Sequence, residues 1–149
     1  MAADPWILHD KFKLYKGNTT ANMETDVFKL ALFLSTSNIA TTSINALSTA
    51  TNQHASANGY TTGGLAIASP TWTESAGTVT FDTSNAVWTA TGGEIRARFG
   101  GIYDDTIASP VADPIVCHSL LDNAPADKVA TDTNTFTITM SASGVFTET

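Results

Sequence analysis

The sequence predicts an all-β protein, an antiparallel β-sandwich or jelly roll with one N-terminal helix. Charged residues make up only 14% of the chain, against about a quarter in typical globular domains, and Thr, Ala and Ser take their place. Thr is β-branched and suits a pleated surface. Short apolar-polar alternations separated by turn residues follow one another at the spacing typical of sandwiches.

The length of the chain, 149 residues, is that of a single domain. We expect residues 1–24 to form an N-terminal arm and helix, and residues 25–149 to form one β-sandwich domain. Cys117 is the only cysteine, so an internal disulfide is excluded. Its apolar surroundings in "PIVCHSLL" predict a small buried hydrophobic side chain.

The single helix is predicted over residues 4 to 16. Asp4 is expected at the N-cap and Pro5 at the first helical position. The apolar stripe of this helix consists of Leu8, Phe12 and Tyr15. We expect the helix to pack over the end of a sheet; the alternative is an arm that reaches onto a partner.

The segment "DVFKLALFL", residues 26 to 34, predicts a central strand. Both of its faces are apolar apart from Lys29, and a strand that is apolar on both faces lies inside a sheet.

Residues 35 to 63 break this pattern, because they are polar, small and rich in turn residues. A short helix is expected near 41 to 49, with Ile44 and Leu47 pointing inward. Asn58-Gly59 predicts a tight turn. A loop of this length in a compact domain is usually functional or covered by a partner.

Eight short strands are expected after this loop. They span residues 64–69, 70–74, 78–83, 86–91, 94–103, 114–121, 135–141 and 144–147. Turn residues such as Ser75-Ala76-Gly77 and Gly92-Gly93 separate many of them.

The strand "EIRARFGGIY", residues 94 to 103, alternates clearly. Its apolar face is expected to hold Ile95, Ala97, Phe99 and Tyr103, and its polar face Glu94, Arg96 and Arg98. The glycine pair inside it predicts a bulge or a close backbone approach. Two arginines on one exposed face suit an acidic partner or a neighbouring subunit; cross-strand salt bridges are an equally good explanation.

The charge balance disfavours two classes of partner. The net charge is −7 and the pI is near 4.6, whereas nucleic acid and anionic lipid are bound by clustered Lys and Arg. No segment approaches the roughly 20 apolar residues of a membrane helix, and "MAADPWILHDKFK" does not have the pattern of a secretory signal. We therefore expect no nucleic-acid partner, no membrane, and synthesis in the cytoplasm.

The candidates for chemistry are few. Asp104-Asp105 lacks the run of oxygen ligands that Ca²⁺ requires, so a structural turn is favoured over a metal site. His9, His54 and His118 show no metal-ligand spacing, and nucleophile, phosphate-loop and dinucleotide motifs are missing. The sequence predicts no catalytic residue, no metal, no cofactor and no enzymatic activity.

Several segments together resemble a known family. The order is "HDKFKLYKGN", "TDVFKLALF", "NGYTTGGLAI", "VTFDTSNAVWTA", "EIRARFGGIYDDT" and "DPIVCHSLLD". This is similar to small structural proteins of tailed bacteriophages, which commonly have an N-terminal helix, a D-T-F-K-V-A-L strand, a G-Y-T-x-G-G turn and a Y-N-D-T loop. Residues 26–32, 59–64 and 103–106 take the last three places, and the resemblance covers about residues 9 to 122. Asp104 stands where the family often has Asn.

The resemblance implies a virion component, a capsid decoration (cement) protein or a minor capsid protein, on the outer surface of the head. Its partners would be the major capsid protein, whose subunits it bridges, and further copies of itself in a homotrimer or dimer. The candidate subunit or capsid contacts are Trp6, Phe12, Tyr15, Arg96 and Arg98.

Two alternatives stay open at this point. One is a head-fibre or tail adhesin module that binds host surface glycan, with Trp72, Trp88 and Tyr60 as stacking candidates. The other is a tail structural protein.

Overall fold

A computed structural model describes residues 5–121 and 126–149. This part of the chain is built mostly of strands in several antiparallel sheets, with one short helix, which confirms the all-β class. No helix among these residues is long and apolar enough to cross a membrane.

The elements follow one another closely along the chain. The helix is α1 (Asp10–Gly17), and a 3₁₀ turn spans Leu47–Thr49. The strands are β1 (Ile7–Leu8), β2 (Phe28–Phe33), β3 (Leu65–Ala66), β4 (Thr71–Ser75), β5 (Thr78–Asp82), β6 (Ala86–Thr89), β7 (Ile95–Ala97), β8 (Phe99–Asp104), β9 (Ile115–Leu120), β10 (Lys128–Ala130), β11 (Thr135–Ile138) and β12 (Phe146–Glu148).

The largest sheet has five strands in the order β1-β9-β8-β2-β3, all paired antiparallel. β2 lies inside it, and five of its six side chains are buried. The prediction of a central strand is therefore confirmed.

Three smaller antiparallel sheets accompany the large one: β10-β7, β11-β6 and β12-β5-β4. Their buried side chains join those of one face of the large sheet in a single main core. Phe136, Phe81 and Ile138 from the small sheets are fully buried there with Leu30 and Leu32 of β2.

The opposite face of the large sheet carries a second core, formed by Ala31, Phe33, Ile39, Tyr103 and Ile115. The segment 35–63 covers this face, because Ile39 is fully buried and half-buried Ile44 and Leu47 pack beside it. The helix expected near 41–49 is only the short 3₁₀ turn; the inward position of Ile44 and Leu47 is confirmed.

The same segment closes the open edge of β2. Asn52 accepts a hydrogen bond from the Leu34 N–H at 2.9 Å, and the His54 N–H donates to the Leu32 carbonyl at 2.8 Å. The Tyr60 hydroxyl accepts the Leu32 N–H at 3.0 Å. Buried backbone groups require such partners, so this loop completes the sheet as well as its second core.

The predicted helix over 4–16 begins six residues too early. Residues Ile7 and Leu8 pair with His118 and Cys117 of β9, and the helix starts at Asp10 with His9 at its N-cap, which makes no side-chain cap bond. Backbone pairing with β9 outweighs the local helix signal of Pro5. The N-cap predicted at Asp4 lies outside the described residues.

The prediction of one strand over 94–103 is wrong. The chain bends at Arg98, so that β7 pairs with β10 while β8 pairs with β2 and β9. As a result the expected apolar face is divided: Ile95 and Ala97 enter the main core, and Phe99 and Tyr103 the second.

The glycine pair in β8 permits the close approach that the sequence predicts. A β-carbon on Gly100 would lie 3.3 Å from the Ile138 side chain, in the main core. A β-carbon on Gly101 would lie 2.8 Å from the Phe33 ring, in the second core. Side chains from both layers therefore pack directly on this strand.

Candidate functional site

Asp104 lies at the end of β8, paired with Phe28 of β2, and its side chain is fully buried. Its Oδ1 accepts the Thr106 N–H at 3.0 Å, the Asx turn expected of this residue type. Thr106 also accepts the Val27 N–H through Oγ1 at 2.7 Å. Asp104 therefore anchors the loop after β8 to the start of β2.

The Asp104 carboxyl group also interacts with a second carboxyl group, that of Asp26. Oδ2 has no hydrogen-bond partner among the described residues, and the carboxyl group of Asp26 is a side-chain hydrogen-bond neighbour of the Asp104 carboxyl group. Burial, with the nearby Asp26 charge, raises the pKa of Asp104 to about 7. One proton placed between the two acids satisfies Oδ2, because a protonated carboxyl is a donor.

Asp105, the other member of the aspartate pair, points away from Asp104. Its carboxylate forms an ion pair with Lys29 at 2.8 Å. Within residues 5–121 and 126–149, no group of three or more His, Cys, Asp or Glu side chains could hold a metal ion. The two aspartates thus have separate structural contacts, one inside the sheet and one at its surface.

Two histidines meet under the first strand. The Nε2 of His9 lies 3.0 Å from Nδ1 of His118, and His9 also bonds the Ile44 carbonyl through Nδ1. Burial lowers the pKa of both, that of His118 to about 4. In a neutral pair, one ring N–H can be donated to the other ring. With the bond to Ile44, this contact joins the end of β1, β9 and the segment 35–63.

Cys117 is fully buried in β9, as the sequence predicts. Burial raises the pKa of its thiol well above the ordinary value. The thiol therefore stays protonated and packs as a hydrophobic group.

The candidate contact residues divide into two groups. Trp6, Phe12 and Tyr15 are buried in the main core, where they attach the N-terminal segment to the strands. Arg96 is exposed and forms an ion pair with Glu94, the residue before β7. Arg98 is half-buried at the bend, with its guanidinium over the Phe99 ring at 5.9 Å.

Arg96 also borders a shallow depression of about 290 Å³. Leu34, His54 and Glu94 line it as well. It places a cation, an anion and an apolar side chain side by side on the surface. Such mixed chemistry suits contact with another protein.

The three aromatic residues considered for glycan stacking differ in exposure. Tyr60 and Trp88 are buried, with ring centroids 5.8 Å apart. Trp72 is half-buried, and its ring lies 6.1 Å from that of Phe146. Trp72 alone retains substantial accessible ring surface.

The three segments that carry the phage-protein resemblance meet in the structure. Tyr103 donates its hydroxyl to the Gly63 carbonyl at 2.8 Å, and Gly64 lies so close to the Leu30 carbonyl that no side chain fits there. Since β2 also pairs with β8, residues 26–32, 59–64 and 103–106 form one bonded unit.

The most exposed strand is β4, in the β4–β5 hairpin. All residues of β4 except Trp72 are exposed, and β4 is the outer strand of its sheet. Ala76 and Gly77 connect the two strands with φ values of 50° and 82°, which is the type I′ turn that two-residue hairpins favour. Low charge and a free strand edge make this hairpin the best candidate surface for protein contact.

Comparison of the chain with protein families, with characterised proteins and with solved structures gives no match.

Sequence reasoning missed both buried polar pairs. His9 and His118 are 109 residues apart, and Asp26 precedes a strand whose partner was unknown. Neither pair has a local spacing signal, since strand pairing alone brings its members together.

Proposed function

We propose that this chain is a structural component of a tailed-phage virion, a capsid decoration (cement) protein or a minor capsid protein. It binds the outer surface of the head as a homotrimer or dimer and bridges major capsid subunits. It acts by binding and not by catalysis.

The observation that carries this proposal is the bonded unit of residues 26–32, 59–64 and 103–106. The three motifs that resemble phage structural proteins are distant in sequence, yet Tyr103 bonds Gly63 and β2 pairs with β8. Residues that depend on one another for folding are expected to occur as a set. Their joint presence therefore gives the resemblance more weight than three separate motif matches.

The surface chemistry supports a role in protein contact. Thr is the commonest residue at exposed strand positions, as in β4 and β11. Such surfaces lose little solvation energy on burial compared with charged ones.

The polar residues that would first suggest catalysis have structural contacts instead. Asp104 joins two strands through Thr106 and Asp26, and the His9–His118 pair is buried between β1 and β9. These arrangements support a binding protein.

A head must resist the pressure of packaged DNA, and a small protein can contribute through repetition. Each copy adds a modest binding energy, and many copies engaging neighbouring subunits together give high avidity.

The test uses heads of the phage that encodes the chain, prepared without it. Purified protein is added, and co-sedimentation and the thermal transition of the heads are measured. We expect saturable binding and a higher transition temperature. Protein that stays in solution at every concentration would contradict the proposal.

Paired variants locate the contact. Arg96→Glu reverses an exposed charge beside the depression, and we expect weaker binding to heads. Lys11→Glu reverses an exposed charge on α1 and serves as the control. Equal effects of the two changes would indicate non-specific electrostatic binding.

The glycan-binding alternative is less supported, because Tyr60 and Trp88 are covered by their neighbours. Glycan-array binding that disappears in Trp72→Ala, with the fold retained, would favour it over the decoration role.

A further inference from the structure

The outer edge of β4 has hydrogen-bonding groups that no described residue satisfies. β4 pairs only with β5, through Thr71↔Asp82, Thr73↔Thr80 and Ser75↔Thr78 and the two pairs between them. An exposed strand with unpaired backbone groups is a template for another strand.

The hairpin register identifies those groups. A two-residue type I′ turn is closed by a hydrogen-bonded pair, here Ser75↔Thr78. Hydrogen-bonded pairs recur at every second residue, so Thr73 and Thr71 also bond β5. The N–H and C=O groups of Trp72 and Glu74 therefore point outward.

β5 gives an independent check of this assignment. The Phe81 carbonyl accepts the Val145 N–H at 2.8 Å, so it points toward β12 and away from β4. Its cross-strand neighbour Trp72 must then direct its backbone groups to the free edge.

Three registers would let a second β4 pair antiparallel with this edge. Placing Glu74 opposite Glu74 sets two like charges face to face, which is destabilising. Placing Trp72 opposite Trp72 brings Glu74 opposite Pro70, which has no N–H to donate. Placing Trp72 opposite Glu74 avoids both problems and uses all the outward groups of both residues.

We propose that β4 is a self-association edge through which two copies of the chain pair antiparallel. Trp72 of each copy lies opposite Glu74 of the other, and the two Thr73 residues face each other across the two-fold axis. Four backbone hydrogen bonds join the copies.

This inference specifies the self-association named in the proposed function and rests on that part of it alone. Four hydrogen bonds are modest against the entropy lost on association, so the dimer in free solution is weak and depends on concentration. Copies held close together on a lattice would pair far more completely, because their effective concentration is high.

The test is disulfide cross-linking at single cysteines on β4. The two Thr73 residues form a non-hydrogen-bonded pair with Cα atoms about 4.5 Å apart, within the range of a disulfide. Thr73→Cys should therefore form a covalent dimer under mild oxidation in the absence of capsids. The matched control is Thr71→Cys, on the same exposed face. It lies two residues from the axis, and therefore four residues along the strand from Thr71 of the other copy.

We expect Thr73→Cys to cross-link at least 10-fold faster than Thr71→Cys. In the proposed register Thr71 lies opposite Ser75, so a mixture of Thr71→Cys and Ser75→Cys chains should give the mixed dimer at a comparable rate. Cys117 is buried. Any cross-linking through Cys117 is measured in the wild-type protein, which has no other cysteine. Equal rates for Thr73→Cys and Thr71→Cys would indicate random collision and overturn the proposal.

A second pair of variants tests the backbone bonds. In the Thr73→Cys chain, Glu74→Pro removes the outward N–H, which β5 does not use, and should reduce the cross-linking rate to that of Thr71→Cys. Glu74→Gln keeps that N–H and should retain fast cross-linking. Fast cross-linking in the proline variant would also overturn the proposal. Head binding is measured separately, so loss of dimerisation and loss of the virion role give different results.

Discussion

The buried carboxyl group of Asp104 hydrogen-bonds the carboxyl group of Asp26 at the place where β2 begins. Asp26 stands two residues before Phe28, the cross-strand partner of Asp104, so both acids lie on one face of the sheet. Asp104 is buried and Asp26 is half-buried, and burial together with the nearby Asp26 charge favours the protonated form of Asp104. The fold therefore contains a group that changes its protonation near neutral pH.

Asp104→Asn should stabilise the protein above pH 7. The folded-state pKa of Asp104 is raised to about 7 from 3.8, so its stabilising contribution is present below the unfolded pKa and is lost as pH rises through 7. Asn keeps an acceptor for Thr106 and supplies a permanent donor to Asp26. We expect a gain of about 2–4 kcal/mol at pH 8 and little change at pH 5, measured by urea unfolding.

The control for this prediction is Asp105→Asn. That change removes the surface ion pair with Lys29 and should cost less than about 1 kcal/mol. If Asp104→Asn were destabilising at pH 8, the shared proton would be refuted.

The His9–His118 pair should change the free energy of unfolding with pH in the direction opposite to Asp104. The pKa of His118 is lowered to about 4, so the folded state keeps it neutral while the unfolded chain takes up a proton below about pH 6.5. Its stabilising contribution is therefore lost as pH falls from 6.5 to 4. In wild-type protein Asp104 offsets this loss over the same range.

The pH dependence caused by the histidines is best measured in the Asp104→Asn variant, because Asp104 no longer offsets it there. We expect its free energy of unfolding to fall by about 1–3 kcal/mol between pH 6.5 and pH 4.5. Adding His118→Gln should make that fall smaller. An equal fall with and without His118 would assign the pH dependence to other groups.

Gly64→Ala should be strongly destabilising. Gly64 has φ +75°, and a β-carbon there would overlap the Leu30 carbonyl of β2. We expect a loss of about 2–4 kcal/mol in thermal or urea unfolding. Gly17→Ala is the control: nothing lies within 4 Å of its β-carbon position, so no loss is expected. Similar effects of both would show that residues 61–64 do not pack on β2 as described.

Tyr60→Phe should cost about 1–3 kcal/mol, because the buried N–H of Leu32 loses its acceptor. The Tyr60 hydroxyl also accepts from Gln53 at 2.9 Å. Tyr15→Phe is the matched control, since Tyr15 is also buried and its hydroxyl has no bond to any residue of the described ranges. Faster amide exchange at Leu32 in Tyr60→Phe alone would support the role of the loop in closing the sheet edge.

Local sequence patterns predicted much of the fold correctly. The two-faced apolar run of β2, a strand within 135–141 (β11) and the Ala76-Gly77 turn are confirmed. These signals are local, because side-chain periodicity and turn chemistry depend on residues next to one another.

Local sequence patterns gave wrong predictions where pairing with a distant strand determined the structure instead. Pro5 favoured a helix, but Ile7 and Leu8 form a strand because they pair with β9. The even alternation through 94–103 concealed the bend at Arg98, since alternation is unchanged when a chain passes from one sheet to another.

The sequence by itself determined that this chain is an all-β protein with buried Cys117, a central strand at β2 and little surface charge. Only the tertiary structure decided which polar residues meet: Asp26 with Asp104, His9 with His118, and Tyr60 with the edge of β2. It also decided that the outward groups of Trp72 and Glu74 are free to pair. The physical reason is that hydrophobic periodicity depends on residues close together in the sequence. Polar contacts depend on strand order and register, which are determined by the packing of the whole core.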